Sequence, residues 1–366
     1  MPRRKSMPTQ SITAAVLRAP GREPVLEPLT LEGPRPGEVL VRIAASGVCH
    51  TDIGFLDSGA SGPVILGHEG AGVVEEVGAD VSGLAPGDHV VMSFASCGAC
   101  AECLAERPAH CENFWELNFG FARLDGTNAY GPDVRGHFFG QSSFASHSLT
   151  TPRNLVKVDP ILPLELLAPL GCGLQTGAGT VVNSLAVKAG QSVLVLGTGT
   201  VGLAAVMAAS YLGAEPIIAV DLHPRRLDLA LELGATHAVG NRGEGLGRRI
   251  RDIAGKGVDH VLEITGDPEL NRLGRELLAP GGGMALLTGD SGPGELPGGR
   301  RIFGVIQGDA VPQRFIPWLI ELNLTGNFPY HRLLRHYPFK DINRAVADSK
   351  RGAAVKPVLR MDMDEG

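Results

Sequence analysis

Short runs of β-branched residues bounded by glycine and proline dominate the first part of the chain. Glu38-Val39-Leu40-Val41-Arg42-Ile43, Gly72-Val73-Val74-Glu75-Glu76-Val77 and Asp88-His89-Val90-Val91 each predict a strand, the last entered through the turn Pro86-Gly87. From Gln191 the pattern becomes strand, glycine turn, helix, strand. Residues 193–196 and 216–220 are uninterrupted apolar runs of strand length, and residues 200–212 are apolar at helical length. Residues 258–264 and 284–287 repeat the strand signal, with helical segments between them. Such alternation implies a parallel sheet wrapped by helices. Residues 290–301, dense in glycine and proline, are predicted as loop, and residues 315–322 and 339–349 as helices. The apolar stretch 283–287 fits either an interface strand or an interior one. No internal repeat is visible. The order of textures predicts one β-rich domain formed by both chain ends, with an α/β domain inserted between them.

The length of 366 residues supports that division, because a typical domain takes about 150. Hydrophobic residues at 43% and charged residues at 20% are ordinary for a soluble globular protein, and the 50 glycines and 26 prolines read as frequent turns. A net charge of −6 gives no footprint for nucleic acid or an anionic membrane. The basic start Pro2-Arg3-Arg4-Lys5 is not followed by an apolar stretch, and no run approaches about 18 apolar residues. A soluble cytoplasmic protein is expected.

Candidate chemistry begins with six cysteines. Cys97, Cys100, Cys103 and Cys111 crowd into a short glycine- and alanine-containing loop. Without a secretory signal such spacing favours metal over disulfides, and four thiolates would close a tetrahedral, structural Zn2+ site. A four-cysteine iron–sulfur site is chemically possible, but the spacing does not favour it. Cys49 and Cys172 lie far apart, with Gly67-His68-Glu69-Gly70 between them. Each is weak evidence alone. Together they supply two thiolates and one imidazole, a set that leaves a fourth zinc position open.

The inserted domain carries Gly197-Thr198-Gly199-Thr200-Val201-Gly202 between a predicted strand and a predicted helix. That context is what a dinucleotide fingerprint requires: glycines for the tight turn, and a helix N-terminus for the pyrophosphate. Asp221 ends the next strand, where a carboxylate holds the ribose hydroxyls and repels a 2′-phosphate, so NAD is expected over NADP. The neighbouring Arg225 and Arg226 pull towards NADP.

Over nearly its whole length the chain resembles zinc-containing medium-chain dehydrogenases. The resemblance rests on Gly67-His68-Glu69-x2-Gly72-x-Val74, the cysteine lobe, Gly171-Cys172-Gly173-Leu174-Gln175-Thr176-Gly177-Ala178-Gly179 and the nucleotide fingerprint. Within that family, Cys49-His50-Thr51-Asp52, Phe139-Gly140-Gln141-Ser142-Ser143-Phe144 and Val355-Lys356-Pro357-Val358-Leu359 are similar to bacterial aryl (benzyl) alcohol dehydrogenases. The implied fold is α/β, a Rossmann doubly wound parallel sheet inserted in a β-rich GroES-like catalytic domain. The implied boundaries are 1–173 and 307–366 for the catalytic domain, with its zinc lobe at 95–113, and 174–306 for the NAD-binding domain.

The resemblance implies two Zn2+ per chain and NAD. Cys49, His68 and Cys172 would ligate the catalytic zinc, with Glu69 an occasional ligand, and Asp52 would accept the second ring N–H of His68. Such a metal lowers the pKa of a bound oxygen towards about 7, which suits deprotonation of an alcohol. Thr51 would be the first proton acceptor, bridging the alcohol and the nicotinamide ribose. Cofactor contacts would come from His50 and Lys356 at the pyrophosphate, Arg226 over the adenosine ribose, and Thr176, Thr265 and Thr288. Many relatives carry an imidazole three residues after the threonine; here that residue is Gly54, so the proton is expected to leave through water or another side chain.

Ser93 stands where many relatives carry phenylalanine, which implies a roomy pocket, and Phe55, Phe94, Trp115, Phe138 and Phe139 are candidate walls. An aromatic pocket favours benzyl, cinnamyl or terpenoid primary alcohols over ethanol. The nearest alternative is a glutathione-dependent formaldehyde dehydrogenase, to which Gln175-Thr176-Gly177-Ala178-Gly179 is similar. That branch needs an arginine four residues after the last lobe cysteine, where this chain has Trp115. A non-catalytic NAD-binding or redox-sensing protein would be expected to lack a zinc ligand or Thr51, and all are present. The family resemblance implies a homodimer or homotetramer.

Overall fold

The computed structural model describes residues 9–59, 62–241, 245–288 and 294–361. The chain separates into two compact units, Met1–Cys172 with Pro312–Pro317 and Leu333–Gly366, and Gly173–Val311 with Trp318–Arg332. The first stretch carries β1 (Thr9–Leu17), β2 (Val25–Glu32), β3 (Val39–Gly47), β4 (Val64–Ile65), β5 (Gly70–Val77), β6 (His89–Met92), β7 (His147–Thr150) and β8 (Leu155–Val158). The second unit follows with β9 (Val193–Leu196), β10 (Ile217–Asp221), β11 (His237–Gly240), β12 (Val258–Glu263), β13 (Leu278–Leu286), β14 (Gly294–Leu296) and β15 (Arg300–Gly304). The chain returns to the first unit with β16 (Leu334–Pro338) and β17 (Lys356–Arg360).

In the first unit the strand order is β16-β17-β3-β5-β6-β8, with β7 also paired to β3, and β2-β1-β4 form a smaller sheet. Only β16 and β17 run parallel among the pairs of these two sheets; the rest are antiparallel, as short β-branched strands joined by glycine turns favour. β3 is buried along most of its length because β17, β5 and β7 all pair with it. Gly72 of β5 is required by this packing, since a Cβ there would lie 2.2 Å from Arg42 O.

The second unit has the order β11-β10-β9-β12-β13-β15-β14, parallel apart from the antiparallel edge strand β14. This is the doubly wound arrangement expected from the sequence. Leu194, Leu196, Ile218, Val220, Val261 and Met284 of the sheet pack with Ile250, Leu270 and Leu277 of the helices in one core. β9 and β10 are buried on both faces, which is why they read as unbroken apolar runs.

Three expectations are corrected. Residues 290–301 are not all loop: β14 and β15 form an antiparallel hairpin, and Gly298 and Gly299 at φ 84° and 72° make its turn. Glycine density marked the turn, while residues 289–293 lie outside the described residues. The helix expected at 339–349 starts later, at Ile342, after a 3-10 turn at Phe339–Asp341. The second domain boundary falls beyond 307. Asn183 Nδ2 donates to Gly308 O at 3.0 Å, Ser184 Oγ to Asp309 at 2.6 Å, and Gln175 Nε2 to Gln307 Oε1 at 3.1 Å, which ties 307–309 to the second unit. The stretch 283–287 proves interior, with β13 paired to β12 and β15. Among the described residues no helix is long and apolar enough to cross a membrane.

The strand–turn–helix at β9 depends on close backbone approach. Gly197 sits at φ 101°, and a Cβ on Gly202 would fall 1.9 Å from Gly197 O. A backbone oxygen cannot rotate aside. Gly202→Ala is therefore expected to cost about 1–3 kcal/mol of stability, measured by denaturant unfolding. Wild-type stability in that variant would contradict the packing.

Candidate functional site

β3 ends at Gly47, and the chain turns through Val48 into the helix His50–Ser58, with Cys49 at its N-cap. Asp52, in the first turn, is fully buried and reaches three ways. Its Oδ2 accepts the Cys49 N–H at 2.9 Å, and its Oδ1 accepts the Gly67 N–H at 3.1 Å and lies 2.9 Å from His68 Nδ1. A carboxylate only accepts, so Nδ1 carries the proton. The opposite nitrogen, Nε2, is buried and has no hydrogen-bond partner among the described residues.

Cys49, His68, Glu69 and Cys172 each offer a ligand atom, and these atoms all lie within 4.8 Å of one another. Two sulfurs and an imidazole nitrogen with no partner among the described residues fit zinc with an open position. All four residues belong to the first unit. Gly47 makes room for Glu69, since a Cβ there would fall 2.0 Å from Glu69 Oε2.

Lys356 corrects a sequence expectation. Its side chain is only 2% exposed, and Nζ donates to both Glu69 oxygens, at 2.9 and 2.8 Å, and to Val48 O at 3.2 Å. The ammonium is fully engaged beside the thiolate cluster instead of extending towards a pyrophosphate, because a buried carboxylate needs a cation. His50 is exposed, and Thr51 is half-buried with its hydroxyl 4.0 Å from Cys49 Sγ.

The electrostatics of the cluster follow from burial and pairing. The Cys172 thiol, as hydrogen-bond donor, holds Cys49 well below the usual thiol range, with His68 and Lys356 adding to the effect. Cys172 moves the opposite way, well above that range. Burial opposes charge on His68, but Asp52 and Cys49 outweigh it and hold the ring well above the usual histidine value. Burial pushes Glu69 up to about 7 against the pull of Lys356. Lys356 is raised in turn: burial disfavours its charge, and Glu69 and Cys49 more than compensate.

The second cluster matches its expectation in geometry. Cys97 and Cys103 sulfurs are 3.9 Å apart, as are those of Cys100 and Cys111, and all four lie within 4.8 Å of one another. Sulfurs about 2.3 Å from a central zinc stand about 3.8 Å apart, whereas a disulfide is about 2.05 Å. All six cysteines are free thiols. The N–H groups of Ala99 and Cys100 point at Cys97 Sγ, at 3.5 and 3.4 Å, and bring that thiol down to about 6.

The proposed pocket residues divide. Phe139 stacks on the His68 ring at 4.4 Å, and Phe138 meets it edge-on at 5.5 Å. Phe119 joins Phe139 at 4.9 Å and Phe55 at 5.9 Å, and Trp115 stacks on Phe119 at 5.4 Å while 65% exposed. Phe94 is buried against Phe114 at 5.8 Å. Ser93 is fully buried with its hydroxyl donated to Gly171 O at 2.7 Å, so it serves as a tie next to Cys172.

In the second unit, Gly197 to Gly202 lead from β9 into the helix Thr200–Tyr211, and Asp221 stands at the carboxyl end of β10. Thr198 N–H and Oγ1 donate to Asp221 Oδ2 at 2.7 and 2.9 Å, and His223 N–H donates to Oδ1 at 2.9 Å. Although burial opposes it, these donors hold the carboxylate below its usual range. Arg226 Nη1 stands 4.0 Å from Asp221 Oδ2. Thr265 follows β12, its hydroxyl and N–H given to buried Glu263, and Thr288 follows β13, exposed. Thr176 lies half-buried in the helix Gly173–Gly179.

Glu263, Gly47 and Gln141 were not singled out by sequence reasoning. Gln141 had a readable signal, an amide in a short segment bracketed by Phe138, Phe139 and Phe144, but nothing in the sequence names its partners.

Residues 35–160 match the alcohol dehydrogenase GroES-like domain family, and residues 200–319 the zinc-binding dehydrogenase family. The chain is 43% identical to a geraniol dehydrogenase from Castellaniella defragrans over 363 residues, 95% of this chain and 97% of that one. The crystal structure of benzyl alcohol dehydrogenase from Acinetobacter calcoaceticus has a TM-score of 0.92 at 40% identity, covering 96% of this chain and 99% of its own. Identity is 33% over 364 residues to S-(hydroxymethyl)glutathione dehydrogenase from Escherichia coli, covering 95% of this chain and 99% of that one. With similarity of this extent running through both the metal-binding and the nucleotide-binding regions, the chain belongs to the zinc-dependent medium-chain alcohol dehydrogenases.

Proposed function

We propose that this alcohol dehydrogenase oxidises allylic and aryl primary alcohols to aldehydes with NAD. In this reading Cys49, His68 and Cys172 hold a catalytic zinc, Cys97, Cys100, Cys103 and Cys111 hold a structural one, and two or four copies assemble. The observation that carries it is the buried His68 Nε2, unpartnered and set among two cysteines and Glu69. Zinc supplies Lewis acidity towards a bound alcohol, and NAD accepts the hydride. The Thr51 hydroxyl, next to Cys49, would relay the alcohol proton, accepting it while giving up its own towards water. Asp52 fixes the His68 tautomer, and Lys356 neutralises Glu69. The rings of Phe55, Phe119, Phe138 and Phe139 form an apolar array beside His68, suited to a flat or unsaturated chain. The names of the geraniol and benzyl alcohol relatives point the same way. Asp221 favours NAD over its 2′-phosphorylated form.

Metal analysis is expected to return two zincs per chain. Assays of coenzyme reduction should show geranyl, cinnamyl and benzyl alcohols turned over more than tenfold faster than ethanol, and NAD preferred to NADP. Two zincs with faster glutathione-dependent oxidation of formaldehyde would overturn the substrate class.

Gly54 stands three residues beyond Thr51 on the same helix, exposed, and an ideal Cβ there meets nothing within 4 Å. Gly54→His is therefore expected to fold normally and to raise turnover severalfold at low pH, where loss of the alcohol proton limits the rate. An unchanged pH profile of kcat would show that this position has no part in the proton's exit.

A further inference from the structure

The segment from His137 to Phe144 is held in an unusual backbone conformation. His137, Phe139 and Ser142 all lie in the left-handed region, at φ 63°, 53° and 53°. Each such non-glycine residue brings its Cβ against the backbone, so surrounding bonds must hold it. Ser142 Oγ receives the Phe138 N–H at 2.9 Å, and the Gln141 carbonyl accepts the Tyr130 hydroxyl at 3.1 Å as well as the Ser148 hydroxyl.

The strained segment presents its polar groups to the loop that carries His68. Ser142 Oγ donates to Ile65 O at 2.7 Å, Phe144 N–H to Leu66 O at 3.0 Å, and Ser143 N–H to Gly67 O at 2.9 Å. The Gln141 side chain completes the series. Its Nε2 donates to His68 O at 2.9 Å and its Oε1 accepts the Gly70 N–H at 3.1 Å. Five backbone attachments, at Ile65, Leu66, Gly67, His68 and Gly70, are thus made by residues 141–144, while Phe139 lies flat on the His68 ring. Gly67 fits because its φ is +89° and a Cβ would strike Phe144 N at 2.3 Å.

The Gln141 amide also reaches the other side of the cluster. Its Nε2 donates a second bond, 3.1 Å long, to Ser93 O, and the Ser93 hydroxyl donates to Gly171 O, the residue before Cys172. A fully buried amide therefore links the backbone at His68 to the segment that ends in Cys172. Asp52 makes the corresponding link between His68 and Cys49.

We infer that Gln141 is a positioning residue of the catalytic metal site: by tying the His68 and Cys172 segments together, it sets how tightly the metal is held and how regular its ligand field is. The inference rests on the zinc reading above. Replacing the amide by an apolar or acceptor-only group leaves His68 O without this donor and Ser93 O with Asn154 Nδ2 at 3.2 Å, so the tie between the two segments is cut and the His68 loop can shift relative to Cys172. Ligand displacements of this kind lower metal affinity by about 10–100-fold.

The test uses the full-length enzyme and the variants Gln141→Met, which keeps the length, and Gln141→Glu, which keeps the acceptor for Gly70 and loses both donors. Zinc release to an excess of chelator is followed with time, the four-cysteine site acting as internal reference. In both variants one zinc is expected to leave at least tenfold faster while the other leaves at the wild-type rate. With Co2+ at the faster site, the visible ligand-field bands should shift, and kcat should fall more than KM rises. Unchanged release and unchanged bands in both variants would overturn the inference. So would equal acceleration of both metals, or failure to fold, because Gln141 would then support the whole unit and not this site. Wild-type protein that binds only one zinc would instead defeat the two-metal reading.

Discussion

The carboxylate of Asp52 has to be satisfied away from water, and the way it is satisfied sets the geometry of the metal site. Buried at the N-terminus of the helix His50–Ser58, it takes N–H groups from Cys49 and Gly67 and faces His68 Nδ1. Helix N-termini favour negative charge, which makes this position tolerable for an unhydrated anion. Once Nδ1 is committed, the imidazole has one nitrogen left for other chemistry: Nε2 lies in the cluster of sulfurs without a hydrogen-bond partner among the described residues. The helix and the His68 loop are thereby tied to each other by a single side chain.

Charge explains the rest of the neighbourhood. Cys49, Cys172, Glu69 and Asp52 are four potential anions of which only Cys49 is partly exposed, and Lys356 is the ammonium paired with Glu69. Between the two thiols one is driven down and the other up, because each is the other's hydrogen-bond partner. A zinc ion would bring both to the thiolate form, with release of a proton. Glu69 gives both its oxygens to Lys356, so the ammonium would compete with a metal for the carboxylate. Breaking such a pair strands a buried charge, so Lys356 is a structural necessity of the site before it is anything else.

Much of this was legible in the chain because the signals were local or chemically narrow. The cysteine lobe, Gly197 to Gly202 with Asp221, and the alternating strands are patterns of spacing, and the structure places them as read. Long-range polar partnerships were not legible. Nothing adjacent to Lys356 shows that its ammonium meets a carboxylate 287 positions away, and nothing near Ser93 shows that its hydroxyl ties down Gly171. The hairpin of β14 and β15 was hidden because its glycines serve the turn and the edge equally. Gln141 was quoted only as part of a motif, since an amide reveals its role through three backbone groups that fold, not sequence, brings together.

The most direct test is the zinc affinity of Asp52→Asn, measured by competition with a chelator of known affinity. An asparagine keeps the volume but can place an N–H against His68 Nδ1, so the ring loses its fixed tautomer. Affinity at the catalytic site should weaken about 10–100-fold while the four-cysteine site is unaffected. Wild-type affinity at both sites would contradict the claim that Asp52 organises the ligands.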